Sequence, residues 1–305
     1  MNQQLLYLNK YLDGGTRTFT IHLMHKLKKQ IVFTVNNIDS KLHDLGNGFF
    51  YQNISEKDAS QMDNSVVVIF KEDFLHVLQS LKNPTLVIHS LTDISDKTIP
   101  YLKDLKIITI RKSLQKYLKE KHNMDSIFKF LPFYPYPIVI ANERHDAISI
   151  SRISFRKNID IIVDANKMMD NPVKIYGYPR AEYVQTLGDS FSRYYFGSFE
   201  KSFTELTRIL STTKYVVDLS AYNNDGGGMN YTFLEAIHNK CALILHRKWL
   251  EFEDSDFKEG YNCFAVESPQ ELAELLRKKP QTTKIVNNAS KLLQRHIDVS
   301  WDDIF

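Results

Sequence analysis

The chain has 305 residues, 43% of them hydrophobic, which is enough for two domains of ordinary size with well-filled cores. Two cysteines, Cys241 and Cys263, without a CxxC pair exclude a disulfide framework and point to a reducing compartment. A net charge of +3 falls short of the footprint of a dedicated nucleic-acid binder, and no apolar run approaches the roughly 18 residues of a membrane span, so a cytoplasmic protein is expected.

Apolar runs at 5–8, 31–35, 65–70, 85–89 and 107–110 alternate with amphipathic stretches, the pattern of βαβ units on a parallel sheet. Gly14-Gly15 falls between the first run and a helix expected from about Thr16, which ends in Lys26, Lys28 and Lys29. Such a strand-to-helix turn lies at the carboxyl edge of an α/β sheet, where ligands bind. The stretch FLPFYPYP, with Pro132, Pro135 and Pro137, rules out a helix and reads as a linker. It separates an N-terminal domain, 1–135, from a C-terminal domain, 136–305. The second domain repeats the alternation, with strands expected at 147–153, 173–176, 194–196, 215–219, 242–246 and 263–266. Helices are expected near 158–169, 199–211, 231–239, 269–278 and 282–296, and the tail DVSWDDIF, with Trp301 and Phe305 as anchors, packs back toward the first domain.

Two segments of the second domain carry chemistry. In Ser151-Arg152-Ile-Ser-Phe-Arg-Lys157, cations gather where a strand ends before a helix, and a guanidinium fork with a compact ammonium suits a diphosphate. In Asn223-Asn-Asp-Gly-Gly-Gly-Met-Asn-Tyr-Thr-Phe-Leu-Glu235, a glycine loop opens directly into a helix. Its bare N–H groups and the positive helix end offer a phosphate cradle, and Glu235, one turn in, offers a carboxylate to sugar hydroxyls. Together they suit a nucleotide sugar.

The spacing Arg152-x4-Lys157 and the loop leading to Glu235 resemble the retaining GT-B glycosyltransferases of the family 4 type. Gly14-Gly15, the stretch from Gly260 to Val266 with Glu271, and Ser300-Trp301-Asp302 follow in that family's order. The resemblance implies two Rossmann-like domains facing a cleft, with the C-terminal helix returning toward the first. It implies a UDP-sugar donor, with Arg152 and Lys157 on the diphosphate and Glu235 on the ribose. Gly14, Gly15, Tyr176, Gly177, Gly227, Gly228, Met229, Asn230, Tyr231 and Thr232 would line the donor site. Transfer would proceed with retention, a donor phosphate oxygen helping to accept the proton. No metal site is expected, because no Asp-x-Asp motif has the right strand context, and no further cofactor is implied.

One position departs from the family pattern: Gly227 stands where relatives carry a loop carboxylate, and Asp225 is the nearest substitute. The string Tyr231-Thr232-Phe233-Leu234-Glu235, the segment Arg156-Lys157-Asn158-Ile159 and the turn Tyr176-Gly177 resemble the DNA glycosyltransferases of T-even-like phages. That resemblance implies double-stranded DNA bearing 5-hydroxymethylcytosine as acceptor and glucose or a pentose such as arabinose as the sugar. His89 and Asp93 would then serve catalysis or acceptor binding, and Arg111, Lys112, Lys116 and Lys119 would contact DNA phosphates, supplemented by the cluster at 26–29. Tyr134 and Tyr136 are candidates to stack on an extruded base. A bacterial surface glycan or lipid-linked sugar is the rival acceptor, and Gly227 motivates a third possibility, an inactive GT-B-like binding module.

Overall fold

A computed structural model describes residues 4–9, 12, 14–35, 40–200, 202–220, 228–252 and 255–304. The chain divides into two compact units, Met1–Tyr134 with Arg295–Phe305, and Pro135–Gln294. In the first, eight strands form one sheet: β1 Leu5–Leu8, β2 Ile31–Val35, β3 Leu42–Gly46, β4 Phe49–Ile54, β5 Val66–Phe70, β6 Thr85–Ile88, β7 Lys106–Thr109 and β8 Ile127–Phe128. Their order is β3-β4-β2-β1-β5-β6-β7-β8, parallel throughout except for the β3/β4 pair. Every residue of β1, β5 and β6 is buried, as expected of central strands whose two faces are both covered. The chain passes from β1 to β2 on one side and later sets β5 on the other, so the loop after β1 stands at a reversal of strand order.

The C-terminal segment is bound into this unit by three lysines. Lys26 Nζ donates to the carbonyls of Ile297 and Val299, Lys129 Nζ to the Ser300 carbonyl (2.8 Å) and Asp303 Oδ1 (2.6 Å), and Lys106 Nζ to the Asp303 carbonyl. Lys26 therefore satisfies the open carbonyls at the end of helix Thr283–Asp298 and is spent there, not on a phosphate surface. The Trp301 ring is 1% exposed, meets Phe19 edge to face at 5.5 Å and donates its Nε1–H to the Phe130 carbonyl. Trp301→Ala is expected to cost about 3–5 kcal/mol, from lost burial and the cavity left behind. Chemical denaturation with an unchanged slope but a lower midpoint would show it.

The second unit carries β9 Asp146–Ile150, β10 Lys174–Tyr176, β11 Thr213–Asp218, β12 Ala242–His246 and β13 Phe264–Val266. All pairs are parallel, in the order β10-β9-β11-β12-β13. The strand expected at 194–196 is absent; a short helix, Phe191–Tyr194, ends there and Tyr195 makes only an isolated bridge to Ile175. The first helix runs Gly14–Leu27, so Gly14-Gly15 opens the helix and does not precede it. Elsewhere local signals set the ends: Ser268 caps helix Pro269–Lys278 by accepting from the Glu271 N–H, with Pro269 at the first position, and Lys279 closes it in the left-handed region.

Candidate active site

In the second unit, β10 lies on one side of β9 and β11 on the other, so strand order reverses between β9 and β11. At such a reversal the connections leave in opposite directions and open a crevice beyond the carboxyl ends of the strands. The residues expected to hold a diphosphate fall there. After β9 the chain turns through the short 3-10 helix Phe155–Lys157, leaving Arg152 exposed and Lys157 partly covered. Asn158 then takes the left-handed conformation (φ 45°) and its Nδ2 donates to the Leu219 carbonyl at 2.9 Å, tying this turn to the end of β11. Lys157 Nζ bonds Ser220 Oγ at 2.6 Å and stands 3.5 Å from Asp218 Oδ2. Ser220 in turn donates to Asp218 Oδ1, and Trp249 Nε1 donates to the Ser220 carbonyl.

The turn after β10 abuts the same place. Gly177 is buried, with φ 144°, and receives the Tyr195 hydroxyl on its carbonyl while its own N–H reaches the Gly197 carbonyl. A Cβ at this position would lie 1.7 Å from the Ser151 carbonyl oxygen, so the close pass of these two backbones depends on the missing side chain. Tyr176, just before it, is half-buried against Phe196 at a ring distance of 5.7 Å.

The connection after β11 leads to helix Tyr231–His238. Gly226, Gly227 and the candidate carboxylate Asp225 lie outside the described residues. From Gly228 onward the geometry suits an anion: the first helical turn contains no acidic residue and the Asn230 side chain makes no capping bond, so the positive helix end meets no carboxylate of its own first turn. Met229 and Tyr231 are buried and Thr232 is half-buried. Glu235 is half-buried, and burial, reinforced by the Glu235 charge, raises the phenol pKa values of Tyr231 and Tyr136 well above the usual range.

In the first unit, His89 follows β6. Its Nε2 lies 2.8 Å from the Val68 carbonyl, and its ring meets Phe19 edge to face at 4.5 Å. A carbonyl only accepts, so Nε2 carries the proton and Nδ1 is left as the acceptor. Burial lowers the imidazole pKa, opposed by the nearby Asp93 charge, which favours this neutral form. Asp93, named with His89 for catalysis or acceptor binding, is tied into the loop after β6. It is 6% exposed, one carboxylate oxygen takes the Lys71 ammonium, and the other accepts the N–H groups of His89 and Ser90 at 3.0 Å each. A buried carboxylate with these three partners fixes the loop after β6.

The expected phosphate-contacting face is divided. Lys112, Lys116 and Lys119 are exposed on helix Lys112–His122, whose Leu114 and Leu118 face inward, and Lys119 pairs with Asp125 at 2.8 Å. Arg111 is half-buried and donates Nε–H to the His89 carbonyl, so it supports the loop after β6. The two linker tyrosines are packed. Tyr134 stacks on His25 at 3.9 Å and donates its N–H to His22 Nδ1, and Tyr136 stacks on Phe203 at 4.2 Å and accepts from Asn239 Nδ2. Neither ring is offered to a flipped base. Among the described residues no helix is long and apolar enough to cross a membrane, and no group of three metal-ligating side chains gathers.

No family model and no curated protein sequence matches the chain. Solved structures do. Anabaena HepE in complex with UDP and glucose aligns with a TM-score of 0.70 at 13% identity, over 97% of this chain and 96% of that one. Sucrose-phosphate synthase from Thermosynechococcus elongatus aligns at 0.71 and 10% identity, over 99% and 96%. The fold is GT-B. A glycosyltransferase from Rickettsia africae also aligns, at 0.64 and 11% identity, over 97% and 95%. Within this GT-B chain, residues that sequence reasoning missed are Asp218, Ser220 and Trp249. Asp218 carries the one available signal, a charged residue ending the apolar run Tyr215–Val217.

Proposed function

We propose that the protein is a glycosyltransferase that moves a sugar from a UDP-sugar to an acceptor hydroxyl. One observation carries this reading: Lys157, with Arg152 close by in sequence, stands at the strand-order reversal of the second unit, and helix Tyr231–His238, whose first turn holds no acidic residue, follows β11 there. The GT-B neighbours support it, among them HepE with UDP-glucose bound. During transfer the bond from the anomeric carbon to the diphosphate oxygen breaks while a bond to the acceptor oxygen forms. Negative charge then grows on the departing diphosphate, and an ammonium, a guanidinium and helix N–H groups already in place stabilise it without reorganising. The Glu235 carboxylate suits the ribose hydroxyls, and in the first unit His89 keeps an unprotonated Nδ1 that suits a substrate hydroxyl. Retention of configuration, with the acceptor proton passing to a donor phosphate oxygen, follows the family 4 resemblance.

For the acceptor, the reading from sequence is hydroxymethylcytosine in DNA, supported by the phage-like Tyr231–Glu235 string and the exposed Lys112, Lys116 and Lys119. The test is UDP release and product mass, measured with UDP-glucose and UDP-arabinose against hydroxymethylated duplex DNA, unmodified DNA and a glycan acceptor. Product on hydroxymethylated DNA alone supports the DNA reading. Product on glycan alone replaces it, and UDP binding with no turnover on any acceptor favours a binding module.

A further inference from the structure

Asp218 is a buried carboxylate on a strand that is otherwise apolar at this end. Its side chain is 1% exposed, while the Lys157 side chain beside it is 23% exposed. Val216, Val217 and Leu219 around it are at most 1% exposed. A charge in such surroundings loses its hydration and is retained only with compensating partners. The partners are graded. Oδ1 accepts the Ser220 N–H at 3.0 Å and the Ser220 hydroxyl proton, whereas Oδ2 takes no hydrogen bond among the described residues and stands 3.5 Å from Lys157 Nζ. Because the Ser220 hydroxyl spends its proton on Asp218, its lone pairs face Lys157, and the 2.6 Å contact must run from ammonium to hydroxyl. The relay thus has one direction: ammonium to hydroxyl to carboxylate. Trp249 on the Ser220 carbonyl and Asn158 on the Leu219 carbonyl hold the backbone of the relay from both sides.

We propose that Asp218, acting through Ser220, is the positioning residue for Lys157 in diphosphate departure. This rests on the UDP-sugar reading above. An ammonium has three donors, and the relay engages one, leaving the others for phosphate oxygens. With Ser220 and the buried carboxylate behind it, the Lys157 ammonium is held in place when no donor is bound, so no reorganisation is needed as charge develops on the diphosphate. Asp218 touches no reacting atom in this scheme. Its whole effect passes through Lys157.

A double-mutant cycle on UDP-sugar turnover tests this, using Asp218→Asn, Lys157→Ala and the pair together. Asp218→Asn is expected to lower kcat about tenfold with a much smaller change in donor KM, since it removes alignment more than binding. In the Lys157→Ala background it should cause no further loss, the signature of residues acting as one unit. Ser220→Ala, which breaks the relay without removing a charge, should behave as Asp218→Asn does. If Asp218→Asn does not fold, as judged by circular dichroism, the cycle of Ser220→Ala with Lys157→Ala decides. Losses that multiply in the double variant would overturn the positioning role and assign Asp218 to fold stability alone. Wild-type protein that turns over no UDP-sugar would instead overturn the donor reading, and this assignment with it.

Discussion

Lys157→Ala is expected to lower sugar transfer by about 10²–10³-fold, the usual cost of deleting one preorganised group that stabilises developing negative charge. The loss should fall mainly on kcat, because the ammonium acts most strongly once charge has accumulated on the leaving diphosphate. The substitution also strands the buried Asp218 carboxylate, whose Oδ2 has only this ammonium nearby among the described residues, so the variant should melt at a lower temperature than the wild type. Rates therefore need to be compared well below both melting points. Lys157→Arg should recover part of the charge stabilisation but not the alignment, since a planar fork does not reproduce a compact ammonium on Ser220. Turnover by Lys157→Ala within a few-fold of the wild type would remove Lys157 from the diphosphate site.

Gly177→Ala is the second large effect. The added methyl would lie 1.7 Å from the Ser151 carbonyl oxygen, an overlap that only displacement of one backbone can relieve, and φ 144° is itself a conformation open to glycine and strained for alanine. The expected cost is about 4 kcal/mol or more. Neither side yields easily. Ser151 directly follows β9 and bonds the Tyr176 carbonyl, and Gly177 is held by Gly197 and Tyr195. The displacement would carry into the turn that bears Arg152 and Lys157, so UDP affinity should fall together with stability. A thermal midpoint and a UDP titration on the same preparation check both. An unchanged midpoint would mean that the turn is looser than its hydrogen bonds indicate.

Much of the architecture was legible in the sequence because parallel strands are buried on both faces and so read as unbroken apolar runs, as with Val66–Phe70 and Ala242–His246. The β3/β4 hairpin was missed for the opposite reason: of Leu42–Gly46 only Leu45 is buried and no apolar run shows, although Asn47-Gly48, both at positive φ, is a strong hairpin turn signal. The run at 194–196 misled because Tyr195 and Phe196 are aromatic, yet they form only a bridge beside β10. At the candidate site, Arg152 and Lys157 could be proposed together because both lie in one short stretch of sequence. The Lys157–Ser220 contact joins residues 63 apart and is created by the pairing of β9 with β11, which no local pattern encodes. The partners of Asp93 were hidden in the same way, because nothing local to that carboxylate shows that Lys71 and two backbone N–H groups bind it.

The central claim is that the crevice between β9 and β11 binds the diphosphate of a nucleotide sugar. Calorimetric titration with UDP and with uridine tests it most directly, because the two ligands differ only in the group that Lys157 and the helix N-terminus are assigned to hold. UDP should bind at least about tenfold more tightly than uridine, worth roughly 1.4 kcal/mol, and that advantage should largely vanish in Lys157→Ala. Equal affinity for UDP and uridine in the wild type, or an advantage that survives Lys157→Ala intact, would contradict the account.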